Sequence, residues 1–150
     1  MNSLNFFLLR VSLCLLTGFA FSCGKPTSGD LINQLYHERS DVRRKAAYAL
    51  IDAGETSVKP LIKTIPSASD TVRYIGAQIL GRIGSPLAKE TLLKLAHDEN
   101  SYVQNEALRA LGKIHQPNLI DTLINFTKSE LPDRSRAAAI EGLSSFRDTS

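Results

Sequence analysis

Residues 70–84 of the chain read DTVRYIGAQILGRIG, and this stretch decides the fold. Small or apolar residues stand at offsets 0, 4, 7, 8 and 11 within it, and they are Val72, Gly76, Ile79, Leu80 and Ile83. These offsets trace one face of an α-helix. Gly84 follows at a position where helices often end in the left-handed conformation. The stretch therefore predicts one amphipathic helix that buries a single face.

The same helix pattern recurs along the chain. Successive anchor residues, spaced by 30, 31 and 32 residues, are Val42, Val72, Val103 and Ser135. Eight residues after each anchor stands a leucine, and these are Leu50, Leu80, Leu111 and Leu143. A nearly fixed period of this length indicates a solenoid of stacked helical units. We therefore expect the leucines to form one continuous core.

A second amphipathic helix is predicted after each of the first three. Ser85-Pro86 and Gln116-Pro117 suit the opening of a helix, because proline in the first turn loses no hydrogen bond. Apolar residues return at offsets 16, 20 and 23 from each anchor, as in Ala88, Leu92 and Leu95. No stretch of the repeats shows the alternation that is typical of a strand. We therefore expect an all-α fold.

The repeat resembles a known family. In the second repeat its pattern consists of Asp70, Val72, Arg73, Ala77, Leu80, Gly81, Ile83 and Gly84. The first repeat contains a similar set, which is Asp41, Val42, Arg43, Ala46, Ala47, Leu50 and Gly54. This pattern resembles the HEAT-like repeat of the phycobilin-lyase type over residues 41–147. The third repeat departs from it at Ser101, Gln104 and His115. The resemblance implies a right-handed α-solenoid of about eight helices, with three full repeats and a half-repeat at each end.

The amino-terminal segment differs in composition from the repeats. Its first ten residues end in the cation Arg10, and an apolar stretch follows over residues 11–21. This organisation is typical of a secretory signal peptide, and it predicts one over residues 1–22. The apolar stretch is shorter than the roughly 20 residues that a membrane-spanning helix needs.

The junction of this segment resembles a bacterial lipobox, since the small residue Ser22 precedes Cys23. The resemblance implies a lipid on Cys23. The small and polar residues that follow predict a tether over residues 23–30, before a repeat domain over residues 31–150. The alternatives are a secreted or periplasmic protein cut by the ordinary signal peptidase, and an uncleaved membrane anchor.

Charge and residue patterns exclude several classes of function. The net charge is +3, and it falls to +2 if Arg10 is removed, which is too even a balance for a nucleic-acid-binding surface. His37-Glu38 is a lone pair, whereas the HEAT-like di-iron hydroxylases use several such pairs. His97 and His115 lie in other repeats without matching carboxylates. We therefore expect no nucleic-acid partner, no cofactor, no metal site and no catalytic residue.

The candidate binding site lies on the second helices, which line the concave face in HEAT-like solenoids. Its outward-facing residues are Lys59, Lys63, Lys89, Lys94, Leu93, Ile120 and Ile124, which we call the second-helix strip. Four lysines favour an acidic protein or peptide as partner. By contrast, Arg43, Arg73 and Arg136 recur at one offset with a nearby aspartate, and we interpret them as residues that hold the turns.

The sequence thus predicts a non-catalytic protein-binding module of the bacterial cell envelope, held at a membrane through Cys23. A structural or accessory envelope lipoprotein domain without a ligand groove is the first alternative. A lyase-like or metal-dependent HEAT-repeat enzyme is the other.

Overall fold

A computed structural model describes residues 26–146. Within that range the α-helices are α1 (Ser28–Gln34), α2 (Ser40–Ala53), α3 (Glu55–Thr64), α4 (Asp70–Ile83), α5 (Lys89–Leu95), α6 (Ser101–Lys113), α7 (Leu119–Lys128) and α8 (Asp133–Ser144). Short 3-10 turns cover Ile65–Ser67 and Pro86–Ala88. The described residues contain no β-strand. The predicted signal peptide and Cys23 lie outside the described residues.

The helices pair as the sequence predicts. α2 with α3, α4 with α5, and α6 with α7 form three hairpins, while α1 and α8 stand alone at the two ends. α1 packs on α2 and α3, and α8 packs on α6 and α7. The predictions of an all-α fold and of eight helices, in three full repeats with terminal half-repeats, are therefore confirmed for residues 26–146. The right hand of the solenoid stays a prediction.

The leucines that recur eight residues after each anchor, which we call the leucine stripe, form the core. They are Leu50, Leu80, Leu111 and Leu143. Leu50, Leu80 and Leu111 are completely buried, and Leu92 of the second helices is buried with them. Leu143 on the terminal α8 is only partly buried. Full burial of a leucine side chain contributes about 1.5–3 kcal/mol. The stripe therefore accounts for the stacking of the repeats.

The first helices of neighbouring repeats approach closely because small residues lie between them. A Cβ atom on Gly112 would overlap the carbonyl oxygen of Gly142, and one on Gly142 would lie 2.6 Å from the carbonyl oxygen of Leu108. A Cβ atom on Gly81 would lie 2.7 Å from the Cβ atom of Ala110. Consequently α4, α6 and α8 lie side by side in one layer, and their outward sides adjoin.

The three recurring arginines hold the turns before the first helices. In each case Nη1 donates to a carbonyl oxygen five residues earlier, from Arg43 to Glu38 at 2.6 Å, from Arg73 to Ala68 at 2.8 Å and from Arg136 to Leu131 at 2.8 Å. This confirms their interpretation as structural residues. In the third repeat Gln104 takes the place of the arginine, and its Oε1 accepts a buried hydrogen bond of 2.6 Å from Ser135 Oγ.

Candidate functional site

The structure places the second-helix strip on three separate helices. Its members are Lys59 and Lys63 on α3, Lys89, Leu93 and Lys94 on α5, and Ile120 and Ile124 on α7. Three of the lysines are exposed, whereas Lys89 and the three aliphatic residues are half-buried. Leu93 packs against the core, and Lys94 lines a cavity beside Asp98. The role of the strip in binding stays a prediction.

The outward side of the first helices carries aromatic residues that the sequence analysis did not select. Three of the four tyrosines lie there, Tyr48 on α2, Tyr74 on α4 and Tyr102 on α6. Tyr48 is 52% exposed and Tyr102 is 65% exposed. We call the surface formed by these tyrosines and the two grooves beside them the first-helix face. Tyrosine and arginine are the residue types most often found at binding hot spots.

A groove of about 380 Å³ lies between α2 and α4. Its lining includes Arg43, Arg44, Arg82, Tyr48, Ile51 and Ile75, and we call it the arginine groove. None of the described lining residues is a carboxylate, and none of the three arginines forms an ion pair within residues 26–146. Arg82 lies over the ring of Tyr48, with Cζ 5.8 Å from the ring centroid. The groove therefore presents positive charge that forms no ion pair with any acidic residue of the described range.

A second groove, of about 400 Å³, lies where α4, α6 and α8 meet. Its lining includes Tyr74, Tyr102, Asn105, Arg109, Arg134 and Glu141, and we call it the tyrosine groove. Both tyrosines also line an adjoining cavity of about 240 Å³. Asn105 is 9% exposed, and its buried Oδ1 has no hydrogen-bond partner among the described residues. An unpaired buried acceptor costs about 1–3 kcal/mol, so this atom calls for an explanation.

The charges of the tyrosine groove are partly neutralised. Arg109 donates from Nε to the carboxylate of Glu141, and its Nη1 lies 3.9 Å from Oε2 of Glu106. The hydrogen bond to Glu141 raises the pKa of Arg109. Arg134 is exposed and has no ion-pair partner in the described part of the chain. The groove thus adds one further unpaired cation to those of the arginine groove.

The sequence signature of the family described as HEAT repeats matches residues 58–144, more than half of the chain. The chain belongs to the HEAT repeat family. HEAT repeats generally mediate protein–protein interactions. No curated protein matches the chain. Membership of the phycobilin-lyase type stays a prediction.

The HEAT repeats place the three histidines in separate turns. His97 packs against Phe126 with ring centroids 5.1 Å apart and ring planes tilted by 47°, and His115 Nε2 lies 3.0 Å from the carbonyl oxygen of Ser145. In residues 26–146, no three histidine, cysteine, aspartate or glutamate side chains gather as they would around a metal ion. None of the helices described is both long and apolar enough to span a bilayer.

The HEAT repeat pattern contains a signal for the first-helix face that the sequence analysis did not use. Relative to its anchor, Tyr102 stands at offset −1, Tyr74 at offset 2 and Tyr48 at offset 6. These offsets lie on the helix side opposite the leucine stripe. A tyrosine on the outward side in three successive repeats indicates an exposed aromatic surface. The unpaired Oδ1 of Asn105 has no such signal, because it depends on which atoms the neighbouring helices bring to it.

Proposed function

We propose that this HEAT-repeat chain is a non-catalytic protein-binding module whose partner docks on the first-helix face. The observation that carries the proposal is the presence, on one side of the solenoid, of exposed tyrosines beside arginines with no acidic partner within residues 26–146. Tyrosine and arginine side chains dominate the binding energy of many interfaces. The arginine groove and the tyrosine groove supply the concave sites in which such residues anchor a partner.

The second-helix strip is the competing docking surface of the same module. Its exposed lysines, Lys59, Lys63 and Lys94, are consistent with an acidic partner. Lysine is depleted at interfaces, however, whereas tyrosine and arginine are enriched. The first-helix face is therefore the preferred surface.

Site-specific photo-crosslinking in cells distinguishes the two surfaces. A photoreactive residue in place of Tyr102 is expected to trap a reproducible protein partner, and one in place of Lys63 on α3 is the matched control. Adducts from Lys63 alone would move docking to the second-helix strip. Absence of a protein adduct from either position would overturn the binding proposal in favour of a structural or accessory domain. A pigment or metal bound to the purified chain would point instead to an enzyme.

We also propose that the module is exported to the bacterial cell envelope and anchored through a lipid on Cys23. The support comes from the sequence, since residues 1–22 have the organisation of a signal peptide and Ser22 precedes the cysteine. Because acyl chains supply most of the membrane affinity of such proteins, Cys23→Ala is expected to move the protein from the membrane to the soluble fraction. Mass spectrometry of the mature amino terminus gives the direct test. An unmodified Cys23 would indicate plain secretion, and a retained Met1 an uncleaved anchor.

A further inference from the structure

The terminal helix α8 leaves uncovered an apolar residue whose equivalents in the earlier repeats are buried. Ile140 stands at offset 5 from its anchor, where α4 has Ala77 and α6 has Leu108. Ala77 and Leu108 are completely buried, whereas Ile140 is 57% exposed. Offset 5 faces the first helix of the following repeat, because the carbonyl oxygen of Leu108 lies 2.6 Å from the position of a Cβ atom on Gly142. We call this uncovered side of the last described helix the open side of α8.

The first full repeat is uncovered on the opposite side. Val42 on α2 is half-buried, although the next anchor, Val72, is buried. Ala49 at offset 7 is also half-buried, whereas Ala110 at the same offset is buried against α4 beside Gly81. We call the side of α2 that carries these two residues the open side of α2. It faces the place of a preceding first helix, which the described residues do not include.

The two open sides fit each other as successive repeats do. α8 is a first helix without a second helix among the described residues, and α1 is a second helix without a first. α1 packs on α2 as α7 packs on α8. If α2 of a second copy stacked on α8 as α8 stacks on α6, α1 of that copy would therefore lie beside α8. The two half-repeats would then form one complete repeat.

The same stacking brings opposite charges together at one end of the helices. Within the chain, Asp70, the first residue of α4, accepts a hydrogen bond of 2.8 Å from Nδ2 of Asn100, the residue before α6. The equivalent residues of the open sides are Asp133, the first residue of α8, and Arg39, the residue before α2. Their side chains are 91% and 71% exposed. A carboxylate and a guanidinium would thus meet where Asp70 and Asn100 meet.

A second pair of opposite charges lies midway along the helices. Tyr48 at offset 6 of α2 and Ile75 at offset 3 of α4 line the same groove. The equivalent residues of the open sides are Glu141 on α8 and Lys45 on α2. Lys45 is exposed and forms no ion pair within the described range, and Glu141 is 57% exposed beside Arg109. Complementary charges of this kind favour one partner and one register.

We propose that a second copy of this chain stacks head to tail on the first, with the open side of α2 covering Ile140 on the open side of α8. The contact continues the solenoid from one copy to the next. Because it joins two different surfaces, each assembly keeps one open side at either end and adds further copies. This inference goes beyond the proposed function and does not depend on it.

Site-specific photo-crosslinking of the full chain in cells tests the contact. A photoreactive residue in place of Ile140 is expected to give adducts of two, three and more chain masses, and mass spectrometry should map each crosslink to α2 of another copy. The control is a photoreactive residue in place of Leu87, which is 51% exposed on the turn before α5. It should give no adduct with α2.

A charge exchange tests the register of the stack. Asp133→Arg and Arg39→Asp should each lower the yield of the Ile140 adducts about tenfold, because like charges would then face each other between copies. The double variant Asp133→Arg/Arg39→Asp should recover most of the yield, since it restores opposite charges. A substitution that only damaged the fold would not be rescued in this way. Equal yields from the wild type and from both single variants would overturn the proposed register.

The remaining outcomes identify what covers α8. Crosslinks that map to α8 of another copy would indicate a symmetric pair and overturn the head-to-tail contact. An adduct with a different protein would overturn a second copy as the occupant, and absence of any adduct from position 140 would overturn the contact itself. None of these results decides the proposed function, because docking on the first-helix face is tested from Tyr102.

Discussion

Arg73 on α4 binds Asp98, 25 residues later in the chain, through two parallel hydrogen bonds, with Nε 2.7 Å from Oδ2 and Nη2 2.9 Å from Oδ1. The two side chains are only 14% and 8% exposed. Burial by itself raises the pKa of Asp98, but the hydrogen bonds from Arg73 and from the backbone N–H of Asn100 outweigh it and hold the pKa below its ordinary value. The pair ties the turn after α5 to α4, the first helix of the same hairpin.

Asp98→Asn is expected to lower the free energy of unfolding by about 2 kcal/mol at pH 7, because it removes the carboxylate that accepts two hydrogen bonds from Arg73 and leaves the guanidinium only the more exposed Asp70 as counter-charge. The pKa of Asp98 is lower in the folded protein than in the unfolded chain, where it is about 3.9. The stabilisation is therefore present above about pH 4 and is lost as the pH falls through the folded pKa. Urea denaturation at several pH values should show the variant and the wild type converging in acid.

Asp133→Asn is the matched control for that measurement. Asp133 pairs with Arg136 on α8, but its side chain is 91% exposed. An exposed pair contributes at most about 1 kcal/mol, so the cost of this substitution should stay below that value. If the two variants lose the same free energy of unfolding, burial is not what makes the Arg73–Asp98 pair strong.

Gly112→Ala is expected to destabilise the protein by about 3 kcal/mol or more. The new Cβ atom would overlap the carbonyl oxygen of Gly142, and a main-chain atom in a helix cannot move aside as a flexible side chain can. Gly29→Ala is the control, because the nearest atom to its new Cβ is Thr27 Oγ1 at 3.6 Å, an ordinary contact. Thermal unfolding should show that only the first substitution lowers Tm. A tolerated alanine at 112 would mean that α6 and α8 lie farther apart.

The cost of replacing a leucine of the stripe by alanine should be larger in the central repeats than in the terminal one. Leu80→Ala and Leu111→Ala should each cost about 2–5 kcal/mol, because these side chains are completely buried between neighbouring repeats. Leu143→Ala should cost less, because this residue is only partly buried on the terminal α8. Chemical denaturation of the three variants measures the difference. Small and equal losses would contradict the assigned register of the repeats.

The fold was predictable because burial imposes a period on the sequence. A helix that stacks between two neighbours must place Leu50, Leu80 and Leu111 on the same side, and this requirement leaves a visible spacing. Departures from the pattern were harder to interpret. His115 stands where Gly54 and Gly84 end the earlier first helices, and it adopts a positive φ of 54° with its ring nitrogen near the Ser145 carbonyl. Only the contact with the next repeat explains how a histidine fits there.

The candidate site was less predictable because exposed residues obey no packing period. The sequence pattern favours lysines on the second helices as the binding residues, whereas Tyr74 and Tyr102 meet only because α4 and α6 lie side by side. The partner of Arg73 was equally hidden, since Asp98 belongs to a different turn. Such relationships depend on the rotation of one helix against the next. A helical period fixes the buried side of each helix, but it does not show which exposed side chains neighbouring helices bring together.

Asn105→Leu is expected to raise the free energy of unfolding by about 1 kcal/mol. The buried, unpaired Oδ1 costs the folded protein about 1–3 kcal/mol, and leucine removes this cost at a similar side-chain volume. Asn125→Leu on α7 is the matched control, since Asn125 is exposed and the substitution should gain only a few tenths of a kcal/mol in helix propensity. Chemical denaturation compares the two. A gain at position 105 no larger than at position 125 would mean that water already pairs with Oδ1 in the free protein.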